Sequence, residues 1–246
     1  MSLAIRFILC FILQISCLQG ALHTEHLDDE MQSLMKPYFL PLNHPLKNSL
    51  DMIFSNGRVT ENQETFANAG FITLFTQPTS LITVARHPLL PGLLLKLYLD
   101  SETREKDGIA GWRWLVNRCK GAENVRKLIK RKKLKYFSVP DKWIYPLPEK
   151  AYQQPVILIV TDMDLTSESD TKYAWKHLTT TKHLDELFCI LSHGFSSCYL
   201  ATNIPYSKSG KFACIDTEHP KRKLSYNHVK AYLSPQMRAY WNGLIK

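Results

Sequence analysis

The stretch Asn203-Ile204-Pro205-Tyr206-Ser207-Lys208-Ser209-Gly210-Lys211-Phe212-Ala213-Cys214-Ile215-Asp216-Thr217-Glu218 constrains this chain more than any other. It reads as a polar residue on a tight loop, a Ser-Gly hairpin turn, a short apolar strand, and an acid where that strand runs out. The unbroken run Phe212, Ala213, Cys214, Ile215 predicts a buried strand. Asp216 then has an anchored backbone and a carboxylate directed out of the core. An amide and a carboxylate on the two arms of one hairpin can share a divalent cation, which prefers oxygen ligands. The plainer reading is local: Asn203 caps a turn and Asp216 caps whatever follows the strand.

A chain of 246 residues, 45% hydrophobic and 22% charged, can bury a core for one or two domains and is not disordered wholesale. Its formal charge of +9 favours anionic partners such as nucleotides, acidic proteins, lipid head groups or nucleic acid, without choosing among them. The start has the layout of a secretory signal. Arg6 precedes an apolar run over 7–13, which Ile15, Ser16, Cys17 and Leu18 extend before Gln19 and Gly20. Cleavage after about Gly20 or Ala21 exports the rest; a retained anchor and lipidation of Cys17 are the alternatives. Gln14 interrupts the run, which is short for a membrane span. Cys119, Cys189, Cys198 and Cys214 remain after cleavage, with no metal-type spacing. Cys119 and Cys214 lie in apolar patterns and read as buried thiols.

The expected order of elements begins with helical pieces at 28–35 and 44–54, divided by Pro37, Pro41 and Pro45. Residues 71–76, 80–85 and 93–99 then form three strands of an antiparallel meander. In the third strand Leu94, Lys96 and Tyr98 share one face, opposite Leu93, Leu95, Leu97 and Leu99. A lysine there is costly unless its ammonium finds a partner, or unless the strand is an edge from which it reaches water. Trp112, Leu115, Cys119, Ala122, Val125 and Ile129 recur at helical steps and predict a long helix ending near Leu134. Glu123 lies mid-helix, within reach of a strand cation or of Lys127 one turn on. The far end is a basic cluster, Arg126 to Lys135, ordinarily a solvated face that complements the helix dipole. Strands follow at 135–139 and 155–160. Pro140, Pro146 and Pro148 predict an extended, turn-rich connection around Trp143, Ile144 and Tyr145 between them. Residues 167–170 read as a surface loop, with helix resuming at 174–177 and 183–191.

This order resembles the protein kinase-like fold, over roughly 71–244. The resemblance implies an α+β architecture: an antiparallel N-terminal sheet with one long helix, then a small, truncated helical C-terminal lobe. Its divisions are a signal at 1–21, a helical and loop extension at 22–70, an N-lobe at 71–164 and a reduced C-lobe at 165–246. In that family a third-strand lysine holds nucleotide phosphates and pairs with a helix glutamate; Lys96 and Glu123 stand at the matching places. A catalytic-loop asparagine and a later aspartate hold magnesium, and Asn203 and Asp216 match with a similar separation. Ile215-Asp216-Thr217-Glu218 resembles the acidic motif of the aminoglycoside phosphotransferase branch. The hinge that meets adenine falls at 160–164, with Asp162 and Met163 as nucleotide-binding residues. Mg2+ and ATP are the cofactors implied.

Departures from the pattern shape the functional expectation. The family's base, an aspartate five positions before the asparagine, is Cys198 here, and His193 is the only substitute base offered. The loop over 76–80 has no glycine to cover a nucleotide, and thirty residues after Asp216 leave room for two short helices. Retained cation-handling groups without a base favour binding over catalysis. The leading expectation is an exported kinase-like protein that binds nucleotide–magnesium or another anionic partner, with weak or absent phosphotransfer. The alternatives are an active small phosphotransferase with an unconventional base, and a non-enzymatic α+β interaction module acting through its basic helix. A protein partner fits each of these, specific nucleic acid none, and a membrane only through an uncleaved or lipidated N-terminus.

Overall fold

The computed structural model describes residues 22–55, 57–77, 81–102, 109–148, 154–217 and 225–246. The expected export signal, Glu218 and most of the 76–80 loop lie outside these residues. Helix α1 (Asp29–Met35) begins at Asp28, whose carboxylate accepts from the Met31 amide at 2.8 Å. A 3-10 turn, Lys36–Tyr38, and helix α2 (Lys47–Phe54) follow. Helix α3 (Gln63–Asn68) opens on a capping box between Asn62 and Thr65, satisfying amide groups that the first turn leaves unpaired.

The meander forms as the alternation predicts: β1 (Ile72–Thr76), β2 (Thr83–Arg86) and β3 (Leu93–Leu97) pair antiparallel. Helix α4 (Gly111–Lys132) comes next, then β4 (Phe137–Ser138), β5 (Lys142–Pro146) and β6 (Val156–Thr161). The main sheet has five antiparallel strands in the order β1-β2-β3-β6-β5, so the fold is α+β. Lys96 therefore sits on the central strand, and the edge reading of that lysine does not hold. The segment around Trp143 is a strand as well, not a turn-rich connection. Pro146 is tolerated at its end because β5 is outermost, where a ladder donor can be spared. The outer edge of β5 is covered in part by the N-terminal segment, whose Leu40 amide donates to the Ile144 carbonyl at 2.9 Å. The opposite edge, β1, carries exposed Ile72, Leu74 and Phe75.

One face of the sheet (Ala85, Leu95, Leu97, Tyr145, Ile157, Ile159) packs on Leu50, Ile53 and Phe54 of α2 and Phe66 of α3. The other (Leu94, Tyr98, Ile144, Leu158, Val160) packs on Trp112, Leu115, Val116 and Cys119 of α4. Further along α4, Val125 and Leu128 enter a different core, shared with the helical half of the chain. Its 22 residues span about 33 Å, enough to run from the sheet into that second core. The last turn carries Lys130, Arg131 and Lys132 beside the carbonyl end of the helix, and Lys133 closes it in the left-handed conformation.

The helical half consists of α5 (Glu168–Tyr173), a π-turn (Ala174–Leu178), α6 (Thr181–Ser192), α7 (Leu200–Asn203), a 3-10 segment (Tyr226–Tyr232) and α8 (Pro235–Leu244). Residues 167–170 are not a loop: the Ser167 hydroxyl accepts from the Asp170 amide and starts α5. Strand β7 (Phe212–Ala213) pairs with β4 in parallel, apart from the main sheet. Two residues of ladder hold little, since a net hydrogen bond is worth about 1 kcal/mol. Phe212 holds more: its ring is fully buried and stacks on Trp175 with centroids 3.7 Å apart, a burial worth about 1.5–3 kcal/mol.

Beyond β7 the chain meets α4 at Gly121. A Cβ at that position would stand 1.9 Å from the carbonyl oxygen of Thr217, so only glycine lets the two backbones approach this closely. Gly121→Ala gains up to about 1 kcal/mol of helix propensity, and overpacking here costs more, about 1–3 kcal/mol. The variant is expected to melt below the parent in thermal unfolding; an equal or higher melting temperature would show that residue 217 withdraws freely.

Candidate functional site

Strand β5 turns Lys142 and Ile144 to the same side, toward α4. Lys142 is 6% exposed, and its Nζ donates to the Ile215 carbonyl and to Thr217 Oγ1, each at 2.9 Å. Thr217 Oγ1 in turn donates to the Arg118 carbonyl of α4 at 2.8 Å. One ammonium thus ties the sheet to the residues on both sides of Asp216, and one hydroxyl ties the same segment to α4. Burial pulls the Lys142 pKa down to about 7; the charges of Lys96 and Arg118 push the same way, and Asp216 and the Cys119 thiol oppose them.

Those electrostatic neighbours come from three directions: Lys96 from β3, Arg118 and Cys119 from α4, Asp216 from the segment after β7. Lys96 and Asp216, distant in sequence, accordingly share the surroundings of one buried amine. Asn203 is beside them, because its carbonyl accepts from the Ile215 amide at 3.1 Å and the Pro205 carbonyl from the Ala213 amide at 2.8 Å. The two arms run side by side, joined by a turn in which the Ser207 amide donates to the Lys211 carbonyl and Gly210 takes φ +80°. Asn203 and Asp216 are both half-buried.

The remaining expected site residues lie as follows. Glu123, 41% exposed, closes an ion pair with Lys127 on its own helix, the local alternative for that residue. Its charge also bears on Tyr38, whose hydroxyl pKa is raised first by burial and then by Glu123 and Cys119. Asp162 and Met163 follow β6, where the Asp162 amide donates to the Gly92 carbonyl and the Asp162 carboxylate pairs with Arg86 at 2.6 Å. Two residues later Leu165 bridges Ser207, and the Thr166 amide donates to the Tyr206 carbonyl. This connection therefore runs from the sheet to the loop that begins at Asn203. His193 ends α6, exposed, with Nδ1 at 2.7 Å from the Cys189 carbonyl and its ring against Phe195.

Cys198, at the position of the family's base, is 3% exposed in the core of the helical half, and burial raises its thiol to about 11. Burial likewise lifts Cys119 and Cys214 to about 12, in Cys214 against the Ser196 hydroxyl and Lys142, which both lower it. The four cysteines among the described residues are free thiols. Cys119, Cys198 and Cys214, buried as they are, are poor nucleophiles and poor bases at neutral pH.

The charges decide what such a cluster holds. Among the groups that bear on the Lys142 amine, the basic Lys96 and Arg118 outnumber the one carboxylate, Asp216, a balance that a polyanion complements better than a bare metal ion. No group of three or more His, Cys, Asp or Glu side chains that could hold a metal occurs among the described residues. Asn203 and Asp216 carry side-chain oxygens of the kind magnesium takes, and as a pair they would hold it only together with phosphate oxygens and water. Two open grooves lie elsewhere. One, of about 820 Å³, runs along α4 past Tyr38, Trp112, Arg113 and Lys120; the other, about 610 Å³, is lined by Met52, Arg58, His87 and Leu89. Neither is lined by Lys96, Lys142 or Asp216.

Sequence reasoning missed Lys142, Arg118 and Thr217. The signal for Lys142 was its phase with Ile144 in an aromatic, β-branched run that the flanking prolines disguised. Arg118 stands beside Cys119 in the apolar helix pattern, and Thr217 is next to the acid itself. No family model matches the chain, and no curated protein is similar enough to be counted as a relative. Among the described residues no helix is long and apolar enough to cross a membrane.

The buried amine makes stability depend on pH. Below about 7 Lys142 is charged in the folded and the unfolded chain; above 10.5 it is neutral in both. Between these limits only the unfolded chain keeps the proton, so stability rises with pH by up to about 1.4 kcal/mol per unit. Lys142→Met lacks this contribution. Chemical denaturation across that window should show the parent gaining on the variant as pH rises, and identical slopes would mean that Lys142 titrates normally.

Proposed function

We propose that this chain is an exported, kinase-like protein that binds a nucleotide–magnesium complex, with weak or absent phosphotransfer. The observation that carries this reading is the convergence of Lys96 and Asp216 on one electropositive cluster, with Asn203 bonded beside it. The sheet order, with the lysine on its central strand and a long helix across one face, supports the same reading. Lys96 would contact the phosphates, and Asp216 with Asn203 would hold magnesium shared with them. The ion neutralises phosphate charge when bound; this chain's own residues orient it and keep the polyphosphate against the sheet. Asp162 and Met163, on the connection between sheet and helical half, would meet the base.

Weak transfer follows from the chemistry of the base position. A proton from an acceptor hydroxyl needs a group near its own pKa within hydrogen-bond reach. Cys198 is buried with a raised pKa, and His193 spends Nδ1 at the Cys189 carbonyl on an exposed helix end. Loss of a positioned base removes about 10²–10⁴ in rate. A second reading, an interaction module working through the basic end of α4, is favoured by the exposure of Lys130, Arg131, Lys132 and Lys133.

Thermal-shift titration with ATP and magnesium separates the two. The parent should be stabilised by about 2.7 kcal/mol at a hundredfold excess over Kd, and the shift should vanish in Lys96→Ala and in Asp216→Ala. No shift at millimolar ATP would favour the interaction module. Transfer of labelled phosphate that is abolished in Asp216→Ala would instead make the chain an active phosphotransferase.

A further inference from the structure

Asp216 has neighbours fixed in an unusual way. The residue before it is held twice, by its amide to the Asn203 carbonyl at 3.1 Å and by its carbonyl to Lys142 Nζ at 2.9 Å. The residue after it is held by a hydroxyl that accepts from the same Nζ at 2.9 Å and donates to the Arg118 carbonyl at 2.8 Å. All of these bonds are made by the residues on either side of Asp216, so they fix its backbone.

Lys142 also belongs to the sheet that carries Lys96. Lys142 is level with Val160 and Leu94, and Lys96 is level with Leu158 and Ile144. The two lysines are thus two strands and two residues apart, about 10 Å across the sheet and about 7 Å along it. A hydrogen-bonded sheet holds that offset rigidly. Whatever clamps the 215–217 segment to Lys142 therefore sets the position of Asp216 relative to Lys96.

We propose that Lys142 is a positioning residue for Asp216: its ammonium grips the backbone on both sides of the acid and sets it at a fixed place relative to Lys96. The functional consequence rests on the nucleotide–magnesium reading given above, in which Asp216 and Lys96 act on one polyphosphate. An apolar side chain would fill the same space without the cost of a buried charge, and would leave the Ile215 carbonyl and the Thr217 hydroxyl short of a donor. The neighbours that face the amine are Lys96 from β3, Arg118 and Cys119 from α4, and Asp216 and Cys214 from the clamped segment. Lys142 is the group among them that the structure records bonding to both Ile215 and Thr217.

Two variants test this on the full chain. Lys142→Met keeps an unbranched side chain and removes the donor; Thr217→Val keeps the volume and removes the hydroxyl at the other end of the clamp. Cys214, fully buried next to Ile215, reports on the segment through its rate of labelling by a thiol reagent, located by mass spectrometry. Both variants are expected to label Cys214 at least about tenfold faster than the parent, with Cys198, in the core of the helical half, unchanged, as local opening requires. Both should also lose about 10–100-fold in the magnesium-dependent part of ATP binding by calorimetry, the usual effect of removing a group that orients a metal ligand. ATP binding without magnesium should persist.

Unchanged protection of Cys214 in both variants overturns the clamp. Equal acceleration at Cys198 overturns it as well, because that is global loosening. Faster Cys214 labelling with magnesium-dependent binding intact overturns the positioning role and leaves a structural bond. A parent chain with no magnesium–ATP binding overturns the nucleotide reading alone, and the labelling result then decides whether Lys142 holds the segment.

Discussion

A buried ammonium joins the two halves of this molecule. Lys142 leaves the sheet as a side chain and ends on oxygens of the 215–217 segment, which belongs to the helical half. Burying an amine is unfavourable, and its depressed pKa is the measure of that cost. The two hydrogen bonds and the nearby Asp216 carboxylate offset it in part. A well-packed methionine would satisfy the core and leave the carbonyl unpaired, so the charge brings a defined arrangement where hydrophobic packing would bring adhesion alone.

Around that bond α4 acts as a shared wall. Its first half closes one face of the sheet, its second half enters the helical core, and at Gly121 it admits the acid-bearing segment to backbone contact. The same helix contributes Arg118 and Cys119 to the surroundings of the Lys142 amine. Of the two groups at or near the expected base position, the Cys198 thiol is sealed in the core and the exposed His193 imidazole is engaged with its own helix end.

Much of the scaffold was legible because its signals are local. The alternation in β3 and the helical period of α4 each report directly which side is buried, and both elements fall where the pattern puts them. Lys96 was correctly phased with Leu94 and Tyr98, but its place at the centre of the sheet depends on β6, which pairs from far along the chain. The strand at Trp143 was hidden by prolines, whose rule against strands is relaxed at an outer edge. Ser167 carried a capping signal that was read as loop chemistry, since caps and turns use the same short polar side chains. The apposition of Asn203 and Asp216 was visible in the hairpin. The grip of Lys142 was not, because lysine is read as a surface residue and its partners lie more than seventy positions away.

The sheet is unequal at its two borders. On the β5 side the chain's own residues 39 and 40 lie alongside Ile144 and take up its outward carbonyl. On the β1 side the outermost strand shows Ile72, Leu74 and Phe75 to solvent, with no charged residue anywhere from Ile72 to Thr76 to repel a newcomer. Among the described residues the β1 border is thus the more open to an added strand, at the end of the sheet remote from the lysine clamp.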